Sequence, residues 1–139
     1  MVRLTPPDLE LFLTRYLRER AAERGDIVKV GNKEPADLSV TSPDQIVVRD
    51  DPGARTGWTS FDHSVGVSVL AGTRLNDAPA NELAREVFAD LTDEAIITWP
   101  GSPIAGITWE ACNGPYAVPE QADKARRYMT AAYSVIGAW

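Results

Sequence analysis

Few residues in this chain have chemically reactive side chains, and they are scattered. His63 is the only histidine, and Asp62 precedes it. A carboxylate beside an imidazole is a general-base arrangement, but both groups must lie within hydrogen-bond reach. From Phe61 through Val65, Val67 and Val69, apolar residues alternate with Ser64, Gly66 and Ser68, which predicts a strand. Neighbours in a strand point to opposite faces, so Asp62 and His63 are not expected to pair, and His63 reads as a structural or surface histidine. Cys112, the only cysteine, has Glu110, Ala111 and Asn113 around it and no positive charge to stabilise a thiolate, so it reads as inert and at least half-buried. One histidine and one cysteine fall short of a transition-metal site. Asp50-Asp51 and Asp90 with Asp93-Glu94 lack the spacing of a calcium loop and read as solvated turns. Gly53 to Gly57, around Arg55, lacks the ending of a phosphate loop and reads as a mobile turn. No catalytic residue, metal ligand or cofactor site is expected.

The elements that must position these side chains follow from periodicity. Thr5-Pro6-Pro7-Asp8 reads as a helix start, with Thr5 as cap and Pro6 where its missing N–H costs nothing. Leu9, Phe12, Leu13, Tyr16, Leu17 and Ala21 then recur at helical spacing, and Gly25 is the natural stop. Ile27 to Val30 is a short strand, followed by a proline-bearing loop from Gly31 to Gln45. Ile46 to Arg49 is a second strand, ended by turn chemistry at Asp50-Asp51-Pro52-Gly53. The third strand, Phe61 to Val69, has a second face small enough for a backbone or helix to approach closely. Asn76 to Pro79 opens a second helix whose stripe of Leu83, Ala84, Val87, Phe88 and Leu91 lies opposite Glu82, Arg85, Glu86 and Asp90. Three more strand segments follow: Ile96 to Trp99, Ile104 to Ala111 and Arg127 to Ile136, with a loop through Asn113-Gly114-Pro115. The expected architecture is a single α+β domain over 1–139, in the broad sense an α/β fold. Its order is α-β-β-β-α-β-β-β, with a mixed or mostly antiparallel sheet and both helices packed on one face.

Bulk properties narrow the function classes. A chain of 139 residues with 44% hydrophobic and 24% charged residues suits one ordinary core. The net charge is −6, and between Phe61 and Pro100 seven acids face only Arg74 and Arg85, which argues against a surface that grips phosphate. The lone cysteine, the lack of a secretory leader pattern and the short apolar runs predict a soluble protein made in a reducing compartment, without a membrane span. Trp58, Trp99 and Trp109 fall in or beside loops and strand ends, and Trp139 is the last residue. Large aromatic surfaces at such places are anchors for contact with the chain's own domain or with a neighbour.

Several segments together carry a resemblance over nearly the full length. They are Leu9-Glu10-Leu11-Phe12-Leu13 with Tyr16-Leu17, Ile46-Val47-Val48-Arg49 followed by Asp50-Asp51-Pro52-Gly53, the strand from Asp62 to Leu70, Ala80-Asn81-Glu82-Leu83-Ala84, and the closing Ala125-Arg126-Arg127-Tyr128-Met129-Thr130. In their order the chain resembles the tail terminator, or tail completion, proteins of long-tailed non-contractile bacteriophages, especially those of actinobacterial hosts. It departs from the usual pattern at Asp51-Pro52-Gly53-Ala54, where a Gly-Gly pair is commoner, and in a final strand that runs on to Gly137-Ala138-Trp139.

The resemblance implies a virion protein, made in the host cytoplasm and placed at the head-proximal end of the tail. Such a subunit forms a homohexameric ring, caps the tail tube, stops its polymerisation and offers a surface for head attachment. Its partners would be copies of itself, the major tail tube protein and a head completion or connector protein. DNA would pass through the channel without specific binding, repelled by any of the acidic charge that lines it. Ring closure needs two different surfaces of one subunit to meet. The candidates are the loops from Gly31 to Gln45 and from Asp50 to Ser60, the small face of the third strand and the aromatic C-terminus, with Pro35, Pro43, Arg49, Asp51, Arg55, Trp58, Tyr128 and Trp139 as interface residues. The alternatives are a head-to-tail connector, or a small ligand-binding or hydrolytic domain built on His63, Asp62, Glu110 or Cys112.

Overall fold

The first helix, α1 (Leu9–Arg24), buries the six apolar residues of its predicted stripe. Its start lies later than the sequence suggests. The cap is Asp8, whose Oδ1 accepts the N–H of Leu11 at 3.0 Å, while Thr5 exchanges backbone hydrogen bonds with Ala138 at 2.7 and 2.9 Å. Pairing with the C-terminal strand end thus takes Thr5 and Pro6 out of the helix. At the other end Gly25 adopts φ 79°, a left-handed conformation that glycine enters without steric cost, and closes the helix onto Ala22 and Ala21.

The structure, a computed structural model, describes residues 3–120 and 122–138. Its sheet runs β1 (Lys29–Gly31), β2 (Gln45–Arg55), β3 (Ser60–Ala71), β6 (Ala125–Ile136), with β4 (Ile104–Ile107) and β5 (Asn113–Val118) both on the far side of β6. β1 pairs parallel to β2, and every other pairing is antiparallel. Helix α2 (Ala78–Leu91) lies against β3 and β6, and α1 lies against β1 and β2, so both cover the same face of a mostly antiparallel α+β domain. On that face Phe61, Val65, Val67 and Val69 of β3 meet Met129, Ala131, Tyr133 and Val135 of β6, in the predicted alternation. Burying each of the valine, phenylalanine and methionine side chains contributes roughly 1.5–3 kcal/mol.

Four local expectations are corrected. Asp50 to Gly53 is not a turn: β2 continues through it with a bulge between Pro52 and Arg55, because pairing with β3 supplies the backbone partners that a turn would otherwise satisfy. Ile96 to Trp99 is not a strand but falls on a short helix, α3 (Ala95–Thr98), which starts where Asp93 Oδ1 accepts the N–H of Ala95 at 2.9 Å. The segment from Ile104 to Ala111 breaks after Ile107 into a short 3₁₀ turn at Trp109–Ala111. Asn113-Gly114-Pro115, expected as a loop, opens β5. None of these short segments carries enough periodicity to declare itself without its sheet partner.

Asp90, expected on the polar side of α2, is buried at 3% exposure. Arg24 Nη1 reaches its Oδ2 at 2.7 Å and Arg20 Nε its Oδ1 at 3.3 Å, so two α1 cations offset the cost of taking one carboxylate out of water. Tyr16 donates its hydroxyl to the Asp90 carbonyl at 2.6 Å, and Tyr133 donates to the Leu91 carbonyl at 2.7 Å. Both phenols are pushed well above their ordinary range by burial.

Replacing Asp90 with Ala leaves two arginines facing an emptied site. It should lower unfolding stability by about 3–5 kcal/mol, read as a lower urea midpoint at unchanged slope. Glu86→Gln, at an exposed position 3.9 Å from Arg24, should change it by less than about 0.5 kcal/mol. A loss below about 1 kcal/mol for Asp90→Ala would show that the arginines do not depend on it. Asp93 gives a pH signature. The Ala95 N–H, then Arg20, hold its carboxyl below the usual range, so its contribution is present above about pH 4 and fades as pH falls through the lowered value. The urea midpoint of Asp93→Asn should therefore fall less steeply than that of the wild type between about pH 5 and pH 2.

Candidate functional site: interaction surfaces

His63 points to the helix-covered face and Asp62 to the opposite one, as strand geometry requires. Asp62 is exposed and has no part in the histidine's surroundings. The histidine nevertheless has a carboxylate: Nδ1 lies 2.9 and 3.1 Å from the two oxygens of Asp50 on β2. Asp50 sits opposite Val65, one diagonal step from His63, a pairing hidden by reading Asp50 as part of a turn. Burial pushes the Asp50 carboxyl up, against the pull of His63. Glu10 of α1 accepts the Asp50 backbone N–H at 3.2 Å and the Asn32 amide at 3.1 Å, so the cluster fastens α1 to the edge of β2. Cys112 is half-buried and donates its thiol to the Thr108 carbonyl at 3.4 Å, while Glu110 is exposed on the 3₁₀ turn. Among the described residues no group of three or more His, Cys, Asp or Glu side chains could hold a metal ion. No helix among them is long and apolar enough to cross a membrane.

The acidic clusters are not solvated turns. Asp50 is held by His63, Asp51 by Arg49 at 3.2 Å, Asp90 by Arg24 and Arg20, and Asp93 by Arg20 at 3.1 Å. Asp77, before α2, meets Arg127 at 2.8 Å. Much of the acidic excess between Phe61 and Pro100 is therefore spent on cations brought from α1 and β6. Asp62, Asp77, Glu82, Glu86 and Glu94 remain exposed, Asp77 despite its ion pair.

The other face of the sheet carries no helix. Arg49 and Asp51 lie there, both more than half exposed, beside Ser64, Ser68, Thr130 and Ala132. The small face of β3 is approached by a side chain rather than by a backbone or helix: Tyr128 lays its ring and hydroxyl over Gly66, where any Cβ would collide with it, and its ring meets that of Tyr116 edge to face at 5.7 Å.

The loop at 32–44 forms a strap tied to its own sheet. Lys124, 4% exposed, donates to the Ser42 carbonyl and to Asp44, both at 2.8 Å. Arg126 holds Glu34 at 2.6 Å and Glu120 at 2.7 Å. Gln45 and Leu70, cross-strand partners on the helix-free face, are buried at this end. The strap's order is thus accounted for within one chain. Of its two prolines, Pro35 is half-buried and Pro43 exposed.

The segment expected as a loop from Asp50 to Ser60 is instead a hairpin arm in which every residue from Asp51 to Thr59 is exposed. Arg55 shapes its tip, donating Nε to the Gly57 carbonyl at 3.1 Å and Nη2 to the Trp58 carbonyl at 2.5 Å, with its guanidinium over the Phe61 ring. Trp58 is 91% exposed. Trp99, by contrast, wedges edge-on against Tyr16 and donates its indole N–H to Glu19 at 2.6 Å. Trp139 lies outside the described residues. The arm thus unites Asp51, Arg55 and Trp58, with Arg49 at its root; Tyr128 belongs to the adjoining sheet face, and Pro35 and Pro43 to the strap at the other end of β2.

Lys124→Ala should free the strap while leaving the β3 and β6 pairing intact. Amide exchange at 33–44 should quicken by about tenfold or more, equivalent to roughly 1.4 kcal/mol of local stability, and exchange in β3 should change far less. Unchanged protection of the strap would show that Lys124 does not hold it. No protein-family model matches this chain, and no curated protein matches it.

Proposed function

We propose that this chain is a structural subunit of a phage tail, which caps the tail tube as a ring of identical copies, ends tube growth and presents a surface for head attachment. The observation that carries the reading is the hairpin arm, exposed on every residue from Asp51 to Thr59 and ending in an almost wholly exposed Trp58. A domain that acted alone would lose nothing by replacing that indole with a polar residue, whereas one that meets copies of itself or a tube end needs such an anchor. The order of elements adds the resemblance to tail terminators. His63, the residue a hydrolytic reading would need, is 4% exposed beneath the helix layer, and that burial suits a structural role.

The reading is tested in the phage that encodes the chain. Removing the gene should give tails of uncontrolled length, seen by electron microscopy, without attached heads; adding the protein back should restore a single length. Tails of normal length that merely lack heads would favour a connector in its place. Normal tails with heads attached would overturn a tail role altogether.

A further inference from the structure

We propose that Asn113-Gly114 is a self-modifying site: the asparagine side chain closes onto the glycine nitrogen, and the isoaspartate formed on reopening loosens β5 from β6. The step needs only water, and it is independent of what the chain assembles with.

The pair sits where β5 leaves the regular ladder. Asn113 stands opposite Thr130 and Tyr116 opposite Tyr128, with a bulge between them in which Gly114 and Pro115 have no register partner. Register partners share a sheet face, so Asn113 lies with Thr130 on the helix-free side, where it is exposed. Among the described residues nothing bonds its amide, whereas the Asn32 amide is held by Glu10 at 3.1 Å. Gly114, also exposed, adds no side chain to screen the carbon under attack.

The fold cannot exchange that glycine for a bulkier residue. Gly114 holds φ 112°, and a Cβ there would stand 2.9 Å from the Tyr128 carbonyl oxygen and 3.0 Å from Met129 Cα. The chain's other asparagines are followed by Lys33, Asp77 and Glu82, whose side chains crowd the same approach. At 113 alone a backbone requirement sets an unscreened amide nitrogen after an exposed asparagine, the residue type whose side-chain amide is thermolabile.

Once the Gly114 N–H has given its proton to solvent, the nitrogen attacks Asn113 Cγ. The N–Cγ bond forms, the Cγ–Nδ2 bond breaks, and Nδ2 takes a proton from water and leaves as ammonia. Water then hydrolyses the cyclic imide: breaking N–Cγ gives aspartate, while breaking the bond from nitrogen to the backbone carbon gives isoaspartate, whose main chain runs through Cβ and Cγ. That extra main-chain atom shifts position 113 against Thr130 and draws the Tyr116 ring from its edge-to-face contact with Tyr128 at 5.7 Å.

The test keeps the purified full chain at neutral and mildly alkaline pH, in buffer and in urea, and reads its peptides by mass spectrometry, with isoaspartate labelled by an isoaspartyl methyltransferase. In buffer, loss of the amide at 113 should outpace that at Asn32, Asn76 and Asn81, rise with pH and yield labelled product. Loss no faster than at those three, or loss in urea but not in buffer, would overturn the site, the latter by showing that β5 protects it. Asn113→Asp carries the new charge without the added backbone atom. Amide exchange in β5 should therefore be faster in the aged chain than in Asn113→Asp, and unchanged on ageing of Asn113→Gln; equal exchange in the first pair, or faster exchange in aged Asn113→Gln, would overturn the loosening.

Discussion

The carbonyl end of α2 is the point on which the rest of this fold depends. A helix that terminates in a core leaves its last carbonyls without intrahelical donors, and water cannot reach them. Here Thr92 caps the Phe88 carbonyl with its own N–H and hydroxyl, Tyr16 from α1 bonds that of Asp90, and Tyr133 from β6 bonds that of Leu91. Two of these donors come from elements far away in sequence, so satisfying one helix end fixes α1, α2 and the sheet in a single arrangement. The Asp90 carboxylate adds a second tie, because it is tolerable in the interior only while Arg20 and Arg24 stand against it.

That constraint has consequences at a distance. With Arg20 placed over Tyr16 and Trp99, the α2 to β4 connection packs against α1, and the Gly101–Ile104 segment is set beside Pro7 and Phe12 at the helix start, with a shallow cleft between them. Arg15 finishes the same corner through the Pro100 carbonyl. The helix-free face is governed separately, by the strap at one end, Tyr128 over Gly66 in the middle and the projecting arm at the other. The helix layer and the strap close off most of the sheet, and the arm from Asp51 to Thr59 is left exposed.

The long periodic elements were legible in the residues. Six apolar positions of α1, the alternation of β3 and β6, and the orientation of His63 away from Asp62 all follow from repeats of 3.6 and 2 that a long element cannot disguise. The segments that failed were short or carried turn-type residues. Asp50-Asp51-Pro52-Gly53 has turn chemistry yet runs on as strand, because β3 offers partners to Asp50, Asp51 and Pro52 before a bulge at Gly53; Ile96 to Trp99 is apolar enough for a strand but too short to distinguish from a helical turn. The candidate surfaces were half legible. Arg55 and Trp58 were expected as contact residues and lie on the exposed arm, whereas the shallow cleft beside the start of α1 gathers Pro7 and Phe12, Pro103 and Ile136 from three separate segments, and no local pattern joins them.

By itself the sequence determined the two main helices, the faces of the central strands, a main core for 139 residues, and a net charge of −6. These depend on neighbours a few residues apart, so they are written in local order. Tertiary structure alone decided that Asp50 and not Asp62 meets His63, that Asp90 is an interior ion pair, that the strap at 32–44 is fastened by Lys124 and Arg126, and that Trp58 is left outside. Each of those outcomes depends on groups brought together over a separation no periodicity encodes, and on whether water is excluded where they meet.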